Sequence, residues 1–208
     1  MEPAAASIAT IEPEDQARAD FYALLARLYA AGPDAALLKS IAAADELQVD
    51  DGSTEGEALA EAWRMLIAAS TVMDAEAAAT EYVDLFVGVG ASEVSPHAST
   101  FEKVPGRQPL VEVRATLARL GLSRQPGNPL YEDHLAAVFA TMRVLITGVG
   151  AGAFPFDEQR EFFAVHVDPW VDSCCDAIKR CAIANYYQRV AQFTKAFMAI
   201  ERDSFAIG

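Results

Sequence analysis

Apolar residues along this 208-residue chain recur every three or four positions rather than every two, the spacing of a helix face and not of a half-buried strand. The pattern predicts a first helix from about Pro13 to Ala31, with Phe21, Leu24, Leu25, Leu28 and Tyr29 on one stripe and Gly32-Pro33 stopping it. A short second helix covers Asp34 to Leu47, and Val49 to Thr54 reads as a turn. Thr54 is placed to cap a third helix reaching Met73. Asp74 is placed to cap a fourth, which buries Tyr82, Leu85 and Phe86 before Gly88 and Gly90 break it.

From Gly88 to Pro109 the periodicity lapses over about twenty residues, with three prolines, three glycines and several Ser and Thr residues. Loops of that length inside a compact domain are uncommon and tend to be functional. Helices resume from Pro109 to Leu120, and Ser123 to Tyr131 is a loop. A helix from Glu132 to Thr147 turns Leu135, Val138, Phe139, Met142, Leu145 and Ile146 inward. Gly148 to Pro155 is a flexible connection. Asp157 opens the last third, Pro169 starts a fresh helix at a bend, and Asn185 to Asp203 forms the final one, with Tyr186, Val190, Phe193, Phe197 and Ile200 as its stripe. No alternating strand and no internal repeat is visible. The fold class is all-α, a bundle of about eight to ten helices in one domain spanning residues 1–208.

Composition narrows this little. With 52% apolar and 22% charged residues the chain supports one well-buried core. Sixteen basic against thirty acidic residues leave a net charge of −14. That surface repels nucleic acid and anionic lipid, which are bound by phosphate neutralisation. On charge alone it reads first as a means of keeping the chain soluble, with faster encounter of a basic peptide as the alternative. Met1 to Ala17 contains no Lys or Arg, so the positive start of a secretory signal is missing. The longest uncharged run, Val144 to Phe156, is thirteen residues, short of the eighteen or so of a membrane helix. Both features predict a soluble chain that stays in the cytoplasm, without stable membrane insertion. Cys174, Cys175 and Cys181 lack zinc spacing and read as small buried hydrophobes in a reducing compartment.

No enzyme motif is present: no phosphate-cradling glycine loop after a strand, no Gly-x-Ser-x-Gly elbow, no His-Glu-x-x-His pair. His97, His134 and His166 lie far apart, and none has a Cys or second His at ligand spacing or an acidic residue three positions before it. These features weigh against a helical metal-dependent enzyme. A generic helical interaction or regulatory module stays open.

Three clusters rise above the helical background: Glu81 to Phe101, Glu132 to Met142, and Phe162 to Trp170. Singly, each reads as core packing or as an acidic helix start. In order, they resemble the TorD/DmsD/NarJ family of redox-enzyme maturation chaperones. Glu81-Tyr82-x-x-Leu85-Phe86-Val87-Gly88 is similar to that family's Glu-Tyr-x-x-Leu-Phe-x-Gly helix end, and Ser95-Pro96-His97-Ala98-Ser99-Thr100-Phe101 to its Ser-Pro-x-x-Ser-x-aromatic loop. Asp133-His134-Leu135 matches its Asp-His-Leu signature. His166, Pro169-Trp170, Tyr186-Tyr187 and Phe193-Thr194 follow its C-terminal pattern. One departure is Tyr131, where the family usually carries a proline.

The resemblance implies a cytoplasmic, non-enzymatic helical chaperone with no tightly bound cofactor. Its partner would be the apo catalytic subunit of a DMSO-reductase-type molybdoenzyme and that subunit's twin-arginine signal peptide, ahead of cofactor insertion and export. A monomer or a domain-swapped dimer, exchanged across 148–155, fits the family equally. Guanine nucleotide binding in some relatives finds no phosphate motif here. The client-binding set implied is Tyr82, Leu85, Phe86, Gly88, Ser95, Pro96, His97, Ser99, Phe101, Asp133 and His134, with Asp133 receiving the peptide's arginine through charge-assisted hydrogen bonds.

Overall fold

The computed structural model describes residues 11–49, 53–88, 90–148 and 152–207. It is all-helical, with no strand among the described residues. In chain order the helices are α1 (Pro13–Ala30), α2 (Ala35–Ala42), α3 (Thr54–Val72), α4 (Ala75–Tyr82), α5 (Ala98–Phe101), α6 (Pro109–Arg119), α7 (Leu135–Thr147), α8 (Phe156–His166), α9 (Asp168–Arg180) and α10 (Tyr186–Ile207). Among the described residues no helix is long and apolar enough to cross a membrane.

The helix starts follow side-chain chemistry. Asp34 accepts from Leu37 N at 2.7 Å, Ser53 from Gly56 N at 3.0 Å, and Asp74 from Glu76 N and Ala77 N, each at 3.0 Å. Each satisfies amides that have no partner within the helix. Ser53, not Thr54, is therefore the cap of α3. The expected turn before it includes residues 50–52, and the expected flexible connector includes 149–151; both stretches lie outside the described residues.

The central packing is α1 against α7. Tyr22, Leu25, Leu28 and Tyr29 of α1 are fully buried or nearly so, as are Leu135, Phe139, Met142 and Leu145 of α7. Phe139 stands 5.8 Å from the ring of Tyr22 and 6.1 Å from that of Tyr29. Helix α10 closes the bundle against α3 and α9. Its Phe193 meets Trp63 at 5.1 Å and Phe21 at 5.2 Å in tilted and edge-on geometries, the arrangements ring quadrupoles favour. Cys174 and Cys175 are buried free thiols in α9, and Cys181 is half-buried at its end. Burial pushes the Cys175 thiol up to about 12.

Two helix ends and one inward-facing position differ from expectation for a tertiary reason. Helix α2 ends at Ala42, and the turn after it leads to Asp45, whose carbonyl accepts from Trp63 Nε1 at 2.9 Å. Helix α10 runs on to Ile207 because Phe205 packs on Phe156 and Phe163, both at 5.1 Å between ring centres. On its buried face Glu201, not the half-buried Ile200, faces inward; its carboxylate meets Arg18 Nε at 2.7 Å and Tyr22 Oη at 2.8 Å.

Candidate functional site

Helix α4 does not end cleanly. It widens into a π-helical turn, Val83–Val87, closed by Gly88 N donating to Val83 O at 2.7 Å. Such turns occur mostly as single insertions within α-helices and are frequent at functional sites. Here the turn sends Leu85 and Phe86 inward while Val83 and Val87 stay exposed. Gly88 has φ of +65°, and a Cβ there would lie 2.1 Å from Ala91 O, so the reversal admits only glycine.

This helix end is tied down on two sides. The Glu81 carboxylate reaches the start of α10, accepting from Asn185 N and Tyr187 N through Oε1 at 2.8 Å and from Tyr186 N through Oε2 at 3.0 Å. It is a carboxylate cap supplied from 104 residues away, set against the positive end of the helix. The Tyr82 hydroxyl donates to the last carbonyls of α1, Ala30 O at 3.0 Å and Tyr29 O at 3.3 Å. Phe86 sits among Tyr29, Tyr82 and Tyr187, with ring centres 5.0 to 6.1 Å away.

One backbone bond, Val94 N to Leu85 O at 2.9 Å, leads from the π turn to the next segment. Residues 96–98 then pair antiparallel with 133–135: Ala98 N donates to Asp133 O and Leu135 N to Pro96 O, both at 2.9 Å. The Asp133 carboxylate reinforces that bridge. Its Oδ1 lies 3.1 Å from His97 Nδ1 and its Oδ2 accepts from Ser99 N at 3.3 Å. His134 caps α7, its Nδ1 accepting from Ala136 N at 3.1 Å, and its ring lies edge-on to that of His97 at 4.9 Å. Thr100 Oγ1 donates to Ser95 Oγ at 3.0 Å, and Phe101 stacks on Trp170.

Burial and charge set the protonation states. For Asp133, burial opposes ionisation, but the bonds from His97 and Ser99 outweigh it and hold the carboxyl below its ordinary value. His134 is pushed down to about 4, first by burial and then by the neighbouring His97. Beyond the loop, Arg107 grips Glu102 at 2.7 Å and Glu112 at 2.6 Å, fixing the exit of the segment to the first turn of α6.

The structure thus gathers Ser95, Pro96, His97, Ser99, Asp133 and His134 into one node. Phe101 leaves that node toward α9, while Tyr82, Leu85, Phe86 and Gly88 belong to the helix end linked to it through Leu85 O. Leu85 and Phe86 are core residues, 0% and 8% exposed. Asp133 is only 2% exposed, and both its oxygens are engaged within the chain. In this arrangement its charge holds the loop, through the same oxygens that the expected contact with a client's arginine would use. The groups left at the surface are Ser99, Thr100, the half-buried His97 ring and Tyr131, whose ring centre is 6.2 Å from that of His97.

Sequence reasoning missed the reach of Glu81 and the clamp at Arg107, since neither has a local signal naming its partner. It also passed over Tyr131, where the departure from the family pattern was the available sign. Among the described residues no group of three or more His, Cys, Asp or Glu side chains stands where it would hold a metal ion.

A family profile described as nitrate reductase delta subunit matches residues 53–176, more than half of the chain and the whole of this node. The chain is 24% identical to a protein named Chaperone protein TorD from Shewanella loihica, over 91% of this chain and 93% of that protein. The chain belongs to the nitrate reductase delta subunit family, the TorD/NarJ family of molybdoenzyme chaperones.

Proposed function

We propose that this chain is a cytoplasmic chaperone that binds the twin-arginine signal peptide and apo form of a DMSO-reductase-type catalytic subunit, and keeps it competent for cofactor insertion before export. Family membership supports the broader statement, a non-enzymatic redox-enzyme maturation chaperone. The observation that carries the finer one is the bridge between residues 96–98 and 133–135. It presents His97, Ser99, Thr100 and Tyr131 as a polar and aromatic ledge, joined to the π turn by the bond from Val94 N to Leu85 O. Peptide binding there needs a firm loop edge, and Asp133 supplies it by joining His97 and Ser99. Pro96 pairs with Leu135 behind the ledge, and the helix end of Tyr82, Leu85, Phe86 and Gly88 joins it through Leu85 O. Phe101 anchors the segment on α9, and His134 fixes the start of α7. A net charge of −14 speeds encounter with the cationic end of such a peptide.

The test is titration of a synthetic twin-arginine leader into the wild-type chain and into the Asp133→Asn and His97→Ala variants. Loosening the loop is expected to weaken binding about tenfold, the loss of roughly one charge-assisted hydrogen bond. Unchanged affinity in both variants removes this ledge as the site.

A further inference from the structure

A cleft of about 240 Å³ runs between α6, the outer side of α7 and the loop that joins them. Leu117, Leu122 and Leu130 line one wall, and Ala137, Ala140 and Val144 the other. The space is smaller than the roughly 300–1,000 Å³ of a drug-sized ligand site, and it suits side chains of a peptide rather than a whole cofactor.

The loop over this cleft is held weakly. From Ser123 to Leu130 its hydrogen bonds close within the loop: Asn128 N to Gln125 O at 3.2 Å, Leu130 N to Asn128 Oδ1 at 3.0 Å, and Arg124 Nη1 to Asn128 O at 3.0 Å and to Leu130 O at 3.4 Å. Tyr131 beyond it is instead fixed to the start of α7, its carbonyl accepting from His134 N at 3.1 Å. Across to the start of α7 runs an ion pair, Arg124 Nε to Glu132 Oε1, at 3.7 Å, which is longer than a hydrogen bond. Glu132 is mostly covered, its side chain 12% exposed, and its other oxygen takes Arg114 Nε at 2.9 Å. A mostly covered carboxylate therefore stands at the mouth of an aliphatic cleft, served on one side by a loosely placed arginine from a loop containing Pro126, Gly127 and Pro129.

We propose that residues 123–130 form a lid whose Arg124 stands in for a client arginine. On binding, the client's guanidinium replaces that of Arg124 on Glu132, the lid moves aside, and aliphatic side chains following that arginine enter the cleft beneath Leu122 and Leu130. The occupant is an extended or helical peptide in which a cation is followed by an apolar stretch. This rests on the client being an arginine-bearing leader, and it extends the ledge at His97 and Tyr131 across Glu132 to the far side of α7. Exchanging one guanidinium for another on the same carboxylate changes little in charge, so aliphatic burial decides which peptide is retained.

Fluorescence anisotropy with a labelled leader, an Arg-Arg pair followed by a leucine-rich stretch, tests this on the full chain. Arg124→Ala removes the internal competitor and is expected to bind about 2- to 5-fold tighter. Glu132→Gln is expected to bind about tenfold weaker. A leader with its leucines changed to serine is expected to lose affinity for the wild type and to gain nothing from Arg124→Ala. Arg124 is exposed, and unchanged far-UV circular dichroism checks that both variants fold. If the leader binds the wild type and neither substitution alters the affinity, the lid is overturned while the client reading stands. If the leader binds neither the wild type nor Arg124→Ala, the client reading itself has failed.

Discussion

His134 and His166 are two buried imidazoles that folding keeps neutral. His134 is 4% exposed and His166 5% exposed, and each is pushed down to about 4, by burial first. For His166 the charge of Arg107 adds to that effect, and its Nε2 shares a hydrogen bond with Thr116 Oγ1 at 2.8 Å. A histidine in the unfolded chain titrates near its ordinary 6.5, so between pH 6.5 and 4 the unfolded state binds more protons than the folded one. Stability is then full above pH 6.5 and falls as pH drops toward 4, by on the order of 1–2 kcal/mol per histidine between pH 7 and 5. Thermal melts across that range are expected to show a slope that His134→Asn, which keeps a capping side chain, and His166→Gln each reduce. A slope identical in both variants would contradict the assignment. The sequence places Asp133 and His134 side by side, but their burial was not legible there. The group that engages Asp133 and crowds His134 is His97, 36 residues away.

At the scale of the elements, most helices were readable because their signals are local: Asp34 and Asp74 cap what they precede, and the stripes of α1, α7 and α10 face the core. The π turn was not readable. Its register depends on Gly88 closing on Val83 and on Phe86 finding Tyr29 and Tyr187 across the bundle, partners that periodicity cannot supply. The cap of α10 is hidden in the sequence for a related reason, since its first amides are satisfied by Glu81 of a different element. That dependence is testable. Glu81→Ala is expected to lower stability by about 1–2 kcal/mol, as for loss of a helix cap, with urea unfolding as the measurement. Amide exchange at Asn185, Tyr186 and Tyr187 is expected to quicken more than exchange elsewhere in α10. Glu81→Gln, which retains the acceptor oxygen, is expected to lose about half as much. Equal effects from both substitutions would show that the side chain acts by charge alone.

Across the whole molecule, α1 and α10 are joined by a buried ion pair. Arg18 of α1 meets both oxygens of Glu201 on α10, at 2.7 and 3.0 Å, and Glu201 is 0% exposed. Burial works against the Arg18 charge, yet Glu201 more than offsets it and the guanidinium is held more firmly protonated than usual. Tyr22 donates to the same carboxylate at 2.8 Å, and its phenol is pushed well up by burial and then by Glu201. Gln159 of α8 also lies 3.5 Å from the guanidinium, so three helices distant in sequence meet at one point. A pair of this kind adds little over an apolar replacement, because desolvating both charges consumes most of the attraction. Breaking it on one side is different, since the remaining charge stays buried without its partner. Arg18→Met is therefore expected to cost about 3–5 kcal/mol, read as a fall of roughly 10 °C in melting temperature. The double variant Arg18→Met/Glu201→Gln, in which a neutral amide can still accept from Tyr22, is expected to recover most of that loss. If the double variant melts no higher than the single one, the pair contributes a direct attraction larger than its desolvation, and the join between α1 and α10 depends on charge rather than on the aromatic packing around it.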